Sequence, residues 1–199
     1  GKGDGSALMR DPLLASRIIG AVSNAISCPL TVKFRRGYEE GNETAVEFAR
    51  MEEESGAAAI AVHGRYAQQF YRGKADWGIV ARVKRSVSIP VIGNGDVVDG
   101  DSAIALLGVT GCDAIMVGRG AQGNPWVFRD IASKLAGGPG YAGPTPAEKM
   151  ARYPRLCPRE RGQLDRGGGP VYAAGSRGQH PHRERGRHHR HLWGGGHLP

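Results

Sequence analysis

The chain has 199 residues, 40% of them hydrophobic and 23% charged, with a formal net charge of +8. That size and balance suit one sizeable globular body. No apolar run approaches the ~20 residues of a membrane-spanning helix and no signal segment opens the chain, so a cytoplasmic protein without membrane contact is expected. Cys28, Cys112 and Cys157 lie far apart with no C-x-x-C pair, which argues against a disulfide framework and against a metal site.

In chain order, Asp11 is placed to cap a helix with Pro12 in its first turn and Leu14, Ile18, Val22 and Ile26 as its apolar stripe. "LTVKFR" (Leu30–Arg35) follows Pro29 as a first strand. A second helix is expected over Glu43–Ser55 with Val46 and Ala49 inward, ended by Gly56. "AAIAVHGR" (Ala58–Arg65) reads as the second strand, and Asp76 caps a helix carrying Val80, Val83 and Val87. "IPVIGNGD" (Ile89–Asp96) is the third strand, followed by a short helix over Ser102–Leu107. "DAIMVGRG" (Asp113–Gly120) is the fourth, and "NPWVFRDI" (Asn124–Ile131) starts a further helix. Near-continuous apolar strands alternating with helices about every 30 residues predict an α/β protein with a parallel sheet, either barrel or doubly wound.

Beyond about residue 150 the composition changes. Residues 1–152 carry 18 Lys and Arg against 16 Asp and Glu, whereas residues 153–199 carry 9 Arg against 3 acids. The basic excess that suggests a nucleic-acid partner therefore sits mainly in the C-terminal segment. That segment lacks Lys, Ile, Met and Phe, and holds six of the seven histidines. It shows no period of 3.6 or 2, so residues 151–199 are expected to be disordered, and we read them as a frame-shifted or mis-assembled stretch of a GC-rich gene. Residues 1–150 form the domain.

Every strand ends in polar residues or glycine. Lys33 and Arg35 close the first, His63 and Arg65 the second, Asn94-Gly95-Asp96 the third and Gly118-Arg119-Gly120 the fourth. In a βα barrel that end carries the active site, with phosphate held at the loops after the last strands. Glycine lets the backbone approach an anion, and Arg119 could grip it with two hydrogen bonds. Each feature alone has a plainer reading: a turn at Gly-Arg-Gly or Asn-Gly, a snorkelling Lys33, a structural His63. Together they favour a phosphorylated ligand.

The segments "GSALMRDP", "TVKFR", "AVHGR", "YRGKADW", "IPVIGNGD" and "DAIMVGRGAQGNPWVF", in this order, closely resemble the bacterial tRNA-dihydrouridine synthases, especially the B type, over roughly residues 3–150. The resemblance implies an FMN-binding TIM (β/α)8 barrel, here its C-terminal half with four parallel strands, joined in the family to a C-terminal helical domain. It implies NADPH as reductant, hydride transfer to C6 of a uridine in tRNA, and a cysteine that protonates C5. It places Lys33 near N1 and O2 of the flavin ring. Asn94, Gly95, Asp96, Gly118 and Arg119 would hold the ribityl phosphate. His63 would face the flavin, Arg35 and Arg65 the uracil, and Tyr71–Trp77 would border the RNA path.

The family's cysteine belongs to an "N-x-G-C-P" motif that would precede Gly1, so no catalytic residue is assigned here. Cys28 and Cys112 stand at strand starts, away from the active end. This chain alone is expected to lack turnover, and a half-barrel with two open sheet edges could self-associate. Two rival readings are another FMN barrel oxidoreductase, such as a dihydroorotate dehydrogenase relative, and a non-enzymatic RNA-associating fragment driven by the Arg-rich tail.

Overall fold

The structure, a computed structural model, describes residues 5–152. The expectations about the remaining tail, and Cys157 with it, lie outside the described residues. A 3-10 turn (Gly5–Arg10) leads into α1 (Pro12–Ala25), β1 (Thr31–Arg35), α2 (Ala45–Glu54), β2 (Ala59–His63), α3 (Trp77–Lys84) and β3 (Val91–Asn94). There follow α4 (Gly100–Thr110), β4 (Ala114–Met116), a short 3-10 turn (Arg119–Ala121), α5 (Val127–Leu135) and α6 (Pro146–Arg152).

The four strands form one parallel sheet in the order β1-β2-β3-β4. Successive neighbours joined by helical crossovers are the arrangement of four consecutive units of a (β/α)8 barrel, as expected. Among the described residues, β1 and β4 each pair on one side only.

Strand alternation decides which residues enter the core. Phe34, Val62, Gly93 and Ile115 lie in one register row and face the helices. Phe34 and Val62 are 3% and 0% exposed, and Phe34 meets Phe48 of α2 with ring centroids 5.5 Å apart. At Gly93 a Cβ would come within 2.6 Å of Leu106 and 2.8 Å of the Cys112 sulfur, so α4 packs directly on the β3 backbone. Ile79, Val80 and Val83 of α3 and Ala103 and Leu106 of α4 complete this layer.

The caps match the sequence signals. Asp11 accepts from the Leu14 N–H at 3.0 Å, and Asp76 from the Gly78 N–H at 2.7 Å. Asp99 and Ser102 form a reciprocal capping box on α4, and Gly111 ends that helix in the left-handed conformation. This makes α4 eleven residues long, longer than the Ser102–Leu107 expected, because both caps lie outside its apolar stretch. The strands are shorter than their apolar runs, and α5 starts at Val127 rather than Asn124.

The α1 stripe also differs from expectation. Ala15 and Ile19 are buried, whereas Ile18, Val22 and Ile26 are 42%, 38% and 38% exposed. Ile18 and Val22 instead line a cleft of about 280 Å³ that runs along the unpaired edge of β1.

Candidate functional site

Register builds the site. Arg35 pairs with His63, His63 with Asn94, and Asn94 with Met116, so all four strands end in one row. Two residues earlier, Lys33, Ala61, Ile92 and Ala114 form the row beneath on the same face. This end of the sheet borders a cavity of about 510 Å³ lined by Lys33, Arg35, His63, Asn94, Gly95, Asp96, Gly118 and Arg119, with Met116 and Tyr71 among the remaining walls. The volume lies in the range of small-molecule sites. Asn94 and Arg119, from different strands, thus share one cavity.

Of the residues expected at the site, Arg65 alone is absent from this lining. It lies beneath, 2% exposed, in a bidentate pair with Asp96: Nη1 to Oδ1 and Nη2 to Oδ2, both 2.8 Å. Arg65 also donates from Nε to the Arg72 carbonyl at 3.2 Å and from Nη2 to the Gly73 carbonyl at 2.6 Å. The Asp96 carboxylate further accepts from the Ala75 N–H at 2.7 Å and from Arg119 Nη2 at 3.1 Å. Asp96 therefore ties the end of β3, the 64–77 loop and the turn after β4 together. It does so from a left-handed backbone, φ 58°. The preceding Gly95, φ 129°, has no room for a Cβ, which would fall 2.6 Å from Ala75.

Other contacts fix the floor. Asn94 Nδ2 donates to the Met116 carbonyl at 2.7 Å, locking β3 to β4 at the cavity. Trp77 Nε1 donates to the Gly95 carbonyl at 3.0 Å. The backbone N–H groups of Gly95, Asp96 and Gly118 donate to no other group among the described residues. Unpaired N–H groups at a cavity wall are the donors an anion needs.

Charge shapes the titration of the site. Burial, reinforced by the cations Arg35, Lys33 and Arg65, lowers the His63 pKa to about 4, so the imidazole is neutral at pH 7. Its Nε2 lies 3.5 Å from Arg65 Nη1. Burial and then Arg35 lower Lys33 below the ordinary lysine range. Burial pushes Asp96 upward, but the hydrogen bonds of Arg65 and Ala75 and the charges of Arg65 and Arg119 outweigh it and hold the carboxyl low. The cavity is thus a cationic pocket around one carboxylate. Among the described residues no three His, Cys, Asp or Glu side chains converge on a metal position.

A second cleft of about 560 Å³ adjoins the first, lined by Gly73, Lys74, Ala75, Trp77 and Arg65, and the two share Tyr71, Asp96 and Arg119 as a common wall. The Arg119 guanidinium lies 4.4 Å from the Tyr71 ring centroid. Sequence reasoning missed this stacked pair, because nothing local links residues 48 positions apart. Neither Cys28, which is exposed, nor Cys112, which is buried, lines either cleft.

The dihydrouridine synthase (Dus) family profile matches residues 1–151. The chain belongs to the dihydrouridine synthase family. It is 42% identical over 137 residues to a tRNA-dihydrouridine synthase B of Pseudomonas putida, covering 69% of this chain and 41% of that one. It is 45% identical over 134 residues to that of Shewanella oneidensis, covering 67% and 42%. With a probable tRNA-dihydrouridine synthase of Mycobacterium leprae it shares 41% over 162 residues, covering 78% and 42%. The resemblance to the B type therefore holds, and the chain spans about two fifths of the length of these relatives. Among solved structures, (S)-3-O-geranylgeranylglyceryl phosphate synthase from Thermoplasma acidophilum is 19% identical, with a TM-score of 0.40 over 58% of this chain and 52% of that one, too loose a match to add to the argument. Family membership sets the dihydroorotate dehydrogenase reading aside. The RNA-associating tail concerns residues outside those described.

Proposed function

We propose that this chain is the flavin-holding half-barrel of a tRNA-dihydrouridine synthase, with FMN seated in the 510 Å³ cavity. The observation that carries the reading is the convergence of Lys33, His63, Asn94 and Arg119 from four separate strand ends on one cavity. The residues fit the group: unpaired N–H groups of Gly95, Asp96 and Gly118 and the Arg119 guanidinium suit a phosphate, while Lys33 and neutral His63 suit the ring. Bound there, FMN would supply the hydride for reduction of a tRNA uridine and would itself draw on NADPH. A tRNA substrate places the protein in the cytoplasm.

The chain's own residues bind, orient and balance charge. Lys33 sets an ammonium where negative charge would develop on a ring seated beside it, which also restores its lowered pKa. Asp96 holds the Arg119 side chain against the end of β3 until a phosphate competes for it. Arg35 ends β1 in the row of His63 and lines the cavity, and in this reading it meets the uracil. Arg65 acts from beneath by holding Asp96. Among the described residues no thiol lines the pocket, so in this reading these residues bind and orient the uridine.

Titration of the purified chain with FMN, followed by quenching of flavin fluorescence, tests the reading. Binding is expected, and Lys33→Met and Arg119→Ala should each weaken it roughly 10-fold or more, as for a lost charge-assisted hydrogen bond. A chain that leaves FMN fluorescence unchanged would overturn it.

A further inference from the structure

We propose that Phe70 is a stacking platform for an unpaired nucleobase of the RNA, flanking the base that enters the clefts. The inference rests on the reading above that the substrate is RNA. It adds a contact outside the cofactor cavity, since Phe70 lines neither cleft.

Phe70 is 68% exposed and sits beside Tyr71, itself 56% exposed and part of the wall both clefts share. A single exposed aromatic is ordinary. This one is held in place. Its backbone has φ 53°, a left-handed conformation that bulky side chains seldom adopt and that persists only where surroundings impose it. Arg35 Nη1 reaches its carbonyl at 3.4 Å and the Tyr66 carbonyl at 3.2 Å, fastening the loop to the end of β1. Arg65 and Gln69 both donate to the Arg72 carbonyl, closing the loop behind it. The ring therefore stands out from a tied-down loop.

Its surroundings favour a polyanion over an apolar protein partner. Arg35 lies under the loop, Lys74 and Arg119 border the adjoining cleft, and Arg119 already stacks on Tyr71. Cations that track a phosphate chain beside aromatic faces are how single-stranded nucleic acid is held without reading its sequence. A base drawn out of its stack leaves its neighbour needing a new face, and Phe70 offers one next to the opening.

Binding of a short single-stranded RNA carrying 2-aminopurine to the full chain tests this, at raised salt where attraction to the Arg-rich C-terminal residues is screened. Phe70→Trp should keep the affinity and the quenching of 2-aminopurine. Phe70→Leu and Phe70→Gly should lose about 5- to 100-fold in affinity, the usual range for one stacked base. Phe70→Gly should also melt no lower than the parent, because glycine accepts the left-handed backbone. A merely structural ring predicts the reverse, a lower melting point with unchanged binding. RNA binding indifferent to Phe70→Gly and Phe70→Leu would overturn the inference and leave the RNA reading standing. Absence of RNA binding would overturn both, and FMN titration of the same sample judges the flavin reading separately.

Discussion

Glu52 gives the sharpest test of the fold. It lies on the inner face of α2 with Ala45, Phe48 and Ala49, is 0% exposed, and neither carboxylate oxygen has a hydrogen-bond partner. Burial raises its pKa from 4.5 to about 8. The folded chain thus keeps a proton that the unfolded chain releases once the pH passes 4.5. Stability that is full below pH 4.5 is then lost progressively up to pH 8, and stays lost above it. At 1.36 kcal/mol per pH unit, the 2.5 units between 4.5 and 7 amount to about 3 kcal/mol lost at neutral pH.

Glu52→Gln removes the titration and leaves one unpaired amide, so its advantage over the parent should grow from near zero at pH 4.5 to about 3 kcal/mol at pH 7. Glu52→Leu also removes the unpaired polar group, and should be the more stable variant at every pH. Urea unfolding at a series of pH values between 4.5 and 8.5 reads both curves. If the difference between parent and Glu52→Gln stays constant across that range, the carboxylate is solvated or paired and the packing of α2 against β1 is wrong.

His63 should titrate near pH 4, with no transition near 6.5 in the imidazole signal that disappears from NMR spectra on His63→Asn. Because the unfolded chain takes its proton first, its contribution to stability falls as the pH drops from 6.5 to 4, and His63→Asn should remove that slope. Asp96→Asn should cost about 3–5 kcal/mol in urea unfolding, since it strands the buried Arg65 guanidinium. Arg119→Ala, whose side chain is 47% exposed, should cost under about 1 kcal/mol while still impairing FMN binding. Equal losses for the Asp96 and Arg119 variants would refute the division between a supporting and a working arginine.

The contrast between these residues marks what was legible in the sequence. Four apolar runs with polar ends sufficed for a parallel sheet with a candidate site at one end of its strands, because strand period and crossover length are local properties. Grouping Arg35 with His63 and Asn94 followed, since parallel register aligns strand ends. Tertiary partners did not follow. Leu14, Ile18 and Val22 form a genuine stripe on α1, with Ile26 just past its end, yet periodicity cannot say how much of a stripe a neighbour covers, and Ile18 and Val22 border an open cleft. On α2 only Val46 and Ala49 were singled out from the sequence; helical phase also turns Glu52 inward, while its neighbour Glu53 reaches out to the Ser88 hydroxyl and the Ser88 and Ile89 N–H groups.

Arg65 and Arg119 look alike in the sequence, as arginines just beyond a strand end, and the fold gives them opposite duties. A buried guanidinium must be paired, and Asp96 provides that pairing with both oxygens. The same carboxylate then has only a single, longer contact left for Arg119, which stays half exposed on the cavity wall. One acid therefore neutralises the buried cation, which is absent from the first cavity, and merely steers the half-exposed one that lines it. Lys33, Arg35 and Arg119 are left as a surplus of positive charge around the cavity, which suits the anionic ligand proposed for it.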